Sequence, residues 1–252
     1  MLKSTERFST RVENYIKYRP GYPNELLELL RVKCGLTADG VVADVGSGTG
    51  ILTELLLETG ASVFAVEPNR EMREAGERLL SDYRRFRSVN GTAEATTLPP
   101  ASVDLITASQ AFHWFDVAQA RREFGRILRP RGWVVLIWNE RPPDSGAFLD
   151  DYERLVRRHA AEYDQVTSRR ADEARIHEFF GGAPHTAVFA YRQVFDFAGL
   201  QGRLLSSSFA PEPGHPEHEP MICGLRDLFE RHSRGGKVVF PYRTLVFYGR
   251  LE

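Results

Sequence analysis

Cysteine is nearly absent: Cys34 and Cys223 are the only two in 252 residues, far apart and in no metal-ligating or redox spacing. That excludes a disulfide-stapled scaffold and a thiolate metal centre, and a reducing cytoplasm is the expected setting. Net charge is scarce as well. With 33 basic and 34 acidic side chains the balance is −1, so the chain as a whole has no pull toward nucleic acid or an anionic membrane. The longest purely apolar run, Trp133 to Trp138, is far too short to span a bilayer, and neither membrane nor nucleic acid is an expected partner. The first residues, MLKSTERFSTRVENY, are too charged for a signal peptide. There is no internal repeat. His215 and His218 are the nearest approach to a metal set, but they lie in the proline-broken linker from Ala210 to Pro220. Such a linker offers no fixed geometry, and no metal is expected.

What is present fits a globular chain, 42% hydrophobic and 27% charged, long enough for one elaborated domain around a sizeable core. Its organising stretch is VVADVGSGTGILTELLLETGASVFAVE, Val41 to Glu67. A short apolar run (Val41, Val42, Ala43, Val45) ends in glycines at alternate positions, Gly46, Gly48 and Gly50. A helical pattern (Ile51, Leu52, Leu55, Leu56) follows and stops at Gly60. A second apolar run, Val63 to Val66, ends in Glu67. Strand, glycine loop, helix, strand and acid make half of a nucleotide-binding βαβ unit. Glycines let the backbone turn tightly and come close to a ligand. The helix N-terminus favours an anionic group, and a carboxylate after the next strand can accept bonds from ribose hydroxyls.

Two details select the ligand. A dinucleotide fingerprint needs glycine at the sixth position from Gly46, where this chain has Ile51. Asp44 also precedes the loop, and a carboxylate there is expected to repel a pyrophosphate and attract an ammonium group. The loop therefore suits a ligand with a ribose and a cationic amino-acid end. It resembles motif I of the class I S-adenosylmethionine (SAM) methyltransferases, D-x-G-x-G-x-G, with Glu67 as the ribose acid. Further segments resemble the same family. Tyr15 to Pro20 looks like its Y-x-x-x-R-P segment, and Gly91-Thr92-Ala93-Glu94 like its G-x-A-E loop. Leu128 to Leu136 looks like the approach to its fifth strand. The run Ala111-Phe112-His113-Trp114-Phe115 resembles a subgroup acting on small molecules, relatives of trans-aconitate and ubiquinone-type methyltransferases.

The resemblance implies a cofactor set of Asp44, Gly46, Ser47, Gly48, Gly50, Glu67, Pro68, Met72, Ala93, Glu94 and Ser109, with Arg19 pairing the SAM carboxylate. It implies substrate contacts from Tyr15, Tyr18, Gln110, His113, Trp114 and Asn139. Aromatic faces at the lip of the fourth strand would stabilise a sulfonium. His113 has two readings, a general base for the acceptor or a packing residue beside aromatics. Met72 likewise reads as core or as an adenine contact. The arginines 121, 122, 126, 129 and 131 are read as a solvated helix face and exit, not as a nucleic-acid patch.

The expected architecture is α/β, a Rossmann-like seven-stranded, mostly parallel sheet with an antiparallel last strand, helices on both faces and a helical lid. Within a single domain, residues 1–34 form an N-terminal lid in which Asn24 caps a helix, and 35–140 form the cofactor core. Residues 141–185 and 198–236 make a cap. The closing strands fall in 186–197, with Phe189, Tyr191, Phe195 and Phe197 on one face, and in 238–252, with Pro241 marking the strand start. The expected activity is methyl transfer from SAM to a small-molecule acceptor on oxygen, carboxyl or carbon, leaving S-adenosylhomocysteine, by a monomer or weak homodimer. The rivals are an NAD(P)-dependent oxidoreductase, a nucleic-acid methyltransferase, for which no N/D-P-P-Y/F motif is present, and a SAM-binding protein without catalysis.

Overall fold

A computed structural model describes residues 16–143, 146–163 and 172–251; Tyr15 lies outside the described residues. The first βαβ unit forms as its pattern requires. β1 (Val41–Val45) and β2 (Ser62–Val66) pair in parallel, with α2 (Ile51–Glu58) between them in sequence and α1 (Asn24–Cys34) ahead of both. α3 (Arg70–Leu79) leads to β3 (Phe86–Val89), which pairs outside β2. On the other side of β1 come β4 (Val103–Ser109) and, after α4 (Val117–Ile127), β5 (Leu128–Glu140), both parallel. The chain continues through α5 (Gly146–His159), α6 (Glu173–Phe180), β6 (His185–Phe195), α7 (Phe197–Leu205), α8 (His218–His232) and β7 (Val238–Gly249). β7 inserts between β5 and β6, antiparallel to both. The strand order is β3-β2-β1-β4-β5-β7-β6, the expected seven-stranded sheet with one reversed strand.

Period-two alternation assigns the two faces. Ala43, Val45, Ile106, Leu136 and Trp138 enter one core with Phe124 and Ile127 of α4. Val42, Leu105, Val135 and Ile137 enter the other, against Leu26 and Leu30 of α1 and Leu52 and Leu56 of α2. A third core joins α5, α7 and α8 around Tyr152, Leu204, Leu225 and Phe240, with Tyr18 packed on its edge. This is the cap.

Four local expectations are corrected. Pro23, not Asn24, stands at the cap position of α1, and no side chain caps that end. Phe197 opens α7 instead of closing β6, because Asp196 accepts the N–H of Gly199 at 2.8 Å and starts a helix there. Pro241 lies inside β7, opposite Arg192 of β6. It is tolerated because pairing with β5 extends only to Arg243, leaving the β5 side of Pro241 without a ladder to interrupt. The segment 141–185 is not one cap. α5 joins the third core, whereas Ile176, Phe179 and Phe180 of α6 pack under the sheet with Phe112, Phe124 and Trp138.

Phe179 is fully buried, with edge-on ring contacts to Phe112 at 5.1 Å and Phe124 at 5.6 Å. Phe179→Ala is expected to cost about 3–5 kcal/mol of unfolding free energy, the range for a truncated core aromatic. Urea denaturation checks this, and a loss below 1 kcal/mol would mean that α6 is not part of the sheet's core.

Candidate active site

The glycine turn owes its conformation first to the protein itself. Gly46 and Gly50 sit at φ +72° and +91°, a region that disfavours side chains. A Cβ on Gly46 would stand 2.5 Å from that of Ala111, and one on Gly50 2.6 Å from Leu80 Cδ1. The glycines thus make room for neighbouring protein atoms, where sequence reasoning had placed the ligand. The backbone N–H groups of Gly46 and Ser47 both donate to the Val66 carbonyl, at 2.8 and 3.2 Å. The turn is thereby tied to the end of β2.

α2 leaves this turn with no side-chain cap. α3, α4, α6 and α7 each carry one, from Asn69, Asp116, Asp172 and Asp196. The first N–H groups of α2 therefore have no capping side chain, at an end that favours negative charge. Ile51 and Leu52 of that first turn border an open cleft. Its other walls are Arg19, Pro20 and Tyr22 of the N-terminal segment, Gly46 and Ser47, Ser109 at the end of β4 and Gln110 just after it, Asn139 near the end of β5, and Arg203 of α7. The cleft lies beyond the carboxyl ends of β1, β4 and β5, where open parallel sheets bind ligands.

Six predicted residues meet here: Arg19, Gly46, Ser47, Ser109, Gln110 and Asn139. Gln110 is held at φ +55°, unusual for a residue with a side chain. Its N–H donates to the Ile137 carbonyl at 2.9 Å, and its amide nitrogen to that of Asn139 at 3.3 Å. Such strain concentrates where the backbone must present a particular group. Asn139 ties the lid down, donating to the Gly21 carbonyl at 2.9 Å and accepting from the Thr244 hydroxyl at 2.6 Å. Tyr22 and Arg203 were missed as contacts. Tyr22 stood in a proline-rich turn read only as a lid, and Arg203 in a helix whose position no local pattern reveals.

Asp44 is placed differently from expectation. Its side chain is fully buried below the cleft, accepting from Thr53 Oγ1 at 2.7 Å and Thr107 Oγ1 at 2.8 Å. It joins β1 to α2 and β4 and offers no exposed edge for direct pairing with an ammonium group. Burial pushes its pKa up to about 6, partly offset by the two hydroxyls. Glu67 is also buried, its two oxygens accepting from the N–H of Gly48 at 2.9 Å and of Asn69 at 2.8 Å. Desolvation raises its pKa, and the negative charge of Asp44 adds to the rise. A carboxylate has about four acceptor sites, so two such bonds leave capacity for hydroxyl donors.

The remaining predicted residues lie outside the walls of this cleft. Met72 and Ala93 are buried and Pro68 is half-buried. Glu94 accepts the N–H of Asp116 at 2.9 Å, which fixes the start of α4. The aromatic run after β4 turns inward. Phe112 packs on Phe115, Trp138 and Phe179, so it is core and not a cage for a cation. His113 is buried in a one-turn helix with its ring 4.7 Å from that of Trp114. The ring of Tyr18 lies against Gly202, so tightly that a Cβ there would clash. Among the arginines, Arg126 bonds Glu123 and the Leu98 carbonyl and Arg129 bonds both oxygens of Asp104. They brace the fold. No group of three or more metal-binding side chains occurs among the described residues, and no helix there is long and apolar enough to cross a membrane.

A mostly parallel sheet with a glycine turn, an uncapped helix start and a buried acid after the second strand has the Rossmann-like architecture. Residues 43–136 match the family model described as a methyltransferase domain. That match takes in 94 of the 252 residues (43 to 136), and over them the chain is similar to methyltransferases. An uncharacterized methyltransferase of Mycobacterium tuberculosis is 40% identical over 134 residues, 53% of this chain and 52% of that protein. The chain thus spans about half the length of these curated relatives. A Schizosaccharomyces pombe protein described as an uncharacterized methyltransferase-like protein is 25% identical over 97% of this chain and 95% of its own. Among solved structures, a candidate type II methyltransferase from Anaeromyxobacter dehalogenans superposes with TM-score 0.65 at 22% identity. It covers 93% of this chain and 98% of that one, and shares the fold.

The pKa of Asp44 makes stability depend on pH. Between about pH 4 and 6 the folded state holds the Asp44 proton more tightly than the unfolded chain does. The contribution of this group to stability therefore falls as pH rises through that window and levels off above it. In Asp44→Asn that loss disappears. Relative to wild type, the variant is expected to gain on the order of 2–3 kcal/mol of unfolding free energy between pH 4 and pH 7. Urea titrations at the two pH values measure the difference. A difference that does not change with pH would show that Asp44 does not ionise in this window.

Proposed function

We propose that this chain transfers a methyl group from SAM to a small-molecule acceptor held in the cleft between the sheet and the cap. The observation that carries the reading is the cleft floor itself, where the left-handed glycine turn and the uncapped start of α2 meet beside two buried carboxylates. When bound, SAM supplies a methyl group on a positively charged sulfur to a nucleophilic atom of the acceptor. The residues present fit that ligand. The turn alternates glycine with Ser47 and Thr49, and Gly46 and Ser47 border the cleft. Glu67 retains acceptor capacity for ribose hydroxyls, and Arg19 together with the first N–H groups of α2 would hold the carboxylate end.

Ile51 supports SAM over a dinucleotide. It fills the position where a dinucleotide turn needs glycine, and its side chain borders the cleft. The work asked of the chain is alignment. Gln110 and Asn139 form the lip beside the donor, with Gln110 fixed by its strained backbone, and the N-terminal segment and α7 limit access by water. Holding two reactants in line contributes about 7–11 kcal/mol. His113 is given no part in proton transfer in this reading, since it does not border the cleft. In keeping with a small acceptor, Arg19, Pro20, Tyr22 and Arg203 narrow the opening.

Calorimetry with S-adenosylhomocysteine and with NAD tests the reading. Wild type is expected to bind S-adenosylhomocysteine and not NAD. Glu67→Gln is expected to weaken that binding about 10- to 100-fold, the range for lost hydrogen bonds to a charged group. Tighter binding of NAD, or an unchanged affinity in Glu67→Gln, would overturn the cofactor assignment. Methyl transfer from labelled SAM to a panel of small acceptors then separates an enzyme from a non-catalytic binder.

A further inference from the structure

A second hollow, of about 410 Å³, opens at the far end of the sheet from the cleft. That volume falls in the range of about 300–1,000 Å³ that takes a small molecule. Its described walls are Trp133 of β5, Phe180 at the end of α6 with the link that follows it, His185 at the start of β6, and Gly249 and Arg250 at the end of β7. Trp133 and the cleft residue Asn139 belong to the same strand, about 20 Å apart along it. Four segments distant in sequence therefore build a cavity that shares no side chain with the cleft.

Strand pairing explains the aromatic wall. Tyr248 of β7 stands opposite Val135 of β5 and His185 of β6, and Trp133 lies on the same face as Val135, one alternation earlier. The Tyr248 ring is thereby set 6.1 Å from that of Trp133 and 5.2 Å from that of His185. Phe180 is buried and forms the inner wall; a Cβ on Gly249 would stand 3.0 Å from its ring, so the glycine lets it seat. The guanidinium carbon of Arg250 lies 4.8 Å from the centre of the Trp133 ring. The cation is thus held at the wall by a ring and not by an acid. No carboxylate is among the described walls, and Arg250 has no ion-pair partner among the described residues.

We propose that this hollow is a second ligand site, for a small aromatic anion: a planar ring carrying a carboxylate or a phosphate. The ring would lie against Trp133 and Phe180, and the anionic group would meet the N–H donors of Arg250, with His185 as a further polar contact. A neutral ring of the same shape would leave the guanidinium without its counter-charge. The site stands on its own walls and does not depend on the methyl-transfer reading.

Calorimetry on the full chain tests it, using naphthoate and naphthyl phosphate, each beside its neutral partner, naphthamide and naphthol. Titrations are run with and without S-adenosylhomocysteine. At least one anion is expected to bind with Kd below about 1 mM and about tenfold tighter than its neutral partner; which anion binds tells a carboxylate ligand from a phosphate. Arg250→Gln, at an exposed position, should weaken that anion about tenfold and leave the neutral partner unchanged, with Arg250→Lys recovering part of the loss. Trp133→Leu should weaken anion and neutral partner alike. S-adenosylhomocysteine should not compete with either anion. No binding by either anion, neutral partners that bind as well, or an unchanged affinity in Arg250→Gln would overturn the proposal. So would displacement by S-adenosylhomocysteine, which would put the probe in the cleft. None of these results alters the binding of S-adenosylhomocysteine itself, so failure here is distinct from failure of the methyl-transfer reading. Arg250→Gln decides the matter even where Trp133→Leu does not fold.

Discussion

Beneath the cleft, one buried carboxylate sets the spacing of its walls. Asp44 ends its strand by accepting hydroxyl bonds from Thr53 of α2 and Thr107 of β4, and the glycine turn begins two residues later. The helix start and the lip of β4 are thus both referred to the same point. Burying an ion without a cationic partner is unfavourable, and two short hydroxyl bonds offset only part of it. A wholly apolar triad would give a more stable sheet. What the carboxylate adds is geometric: the two threonines must stay in place, and Gly46, Ser47, Ser109 and Gln110 ride on them. It also leaves negative charge under a site that is to receive a positively charged ligand.

The cleft is therefore electrostatically layered. Two buried acids, Asp44 and Glu67, flank the glycine turn from within the fold, and the charge of Asp44 makes Glu67 harder to ionise. The rim of the cleft carries the guanidiniums of Arg19 and Arg203. In the proposed reading a zwitterionic nucleoside would set its carboxylate against Arg19 and the start of α2. A diphosphate would place its charge over the acids. The layering also explains why the acids are buried and the arginines are not. Screening by water would flatten the field if the carboxylates were exposed, whereas a guanidinium must reach the ligand to form a directed pair.

Much of the sheet could be read from residue order because its signals are local. Alternating apolar positions in β1, β4 and β5 and the glycines at 46, 48 and 50 depend only on near neighbours. The antiparallel last strand came from the family resemblance, and the insertion of β7 between β5 and β6 was not foreseen. What escaped was set by distant partners. Pro241 reads as a boundary until β5 is seen to stop short of it. The helix at Glu173–Phe180 looks like more cap, yet its aromatic face belongs to Phe112 and Phe124, many residues earlier. Asp44 reads as a ligand contact because nothing nearby in sequence reveals that Thr107 will take one of its oxygens. Arg203 is legible only once β7 brings Tyr242 beneath it.

The inward turn of the aromatic run changes the chemistry asked of the site. Had Phe112, His113 and Trp114 faced the donor, a cation–π cage and a histidine base would have been at hand. Instead Phe112 joins three other rings in the core, and the chain reaches the cleft lip at Gln110 through a backbone angle few side chains accept. That strain is sustained because Ala111 and Phe112 on one side and the Ile137 carbonyl on the other fix the peptide between them. A lip so held presents amide groups, which neither take nor give protons near neutral pH. A site of this kind favours acceptors already nucleophilic as they arrive, and position then does what a base would otherwise have to do.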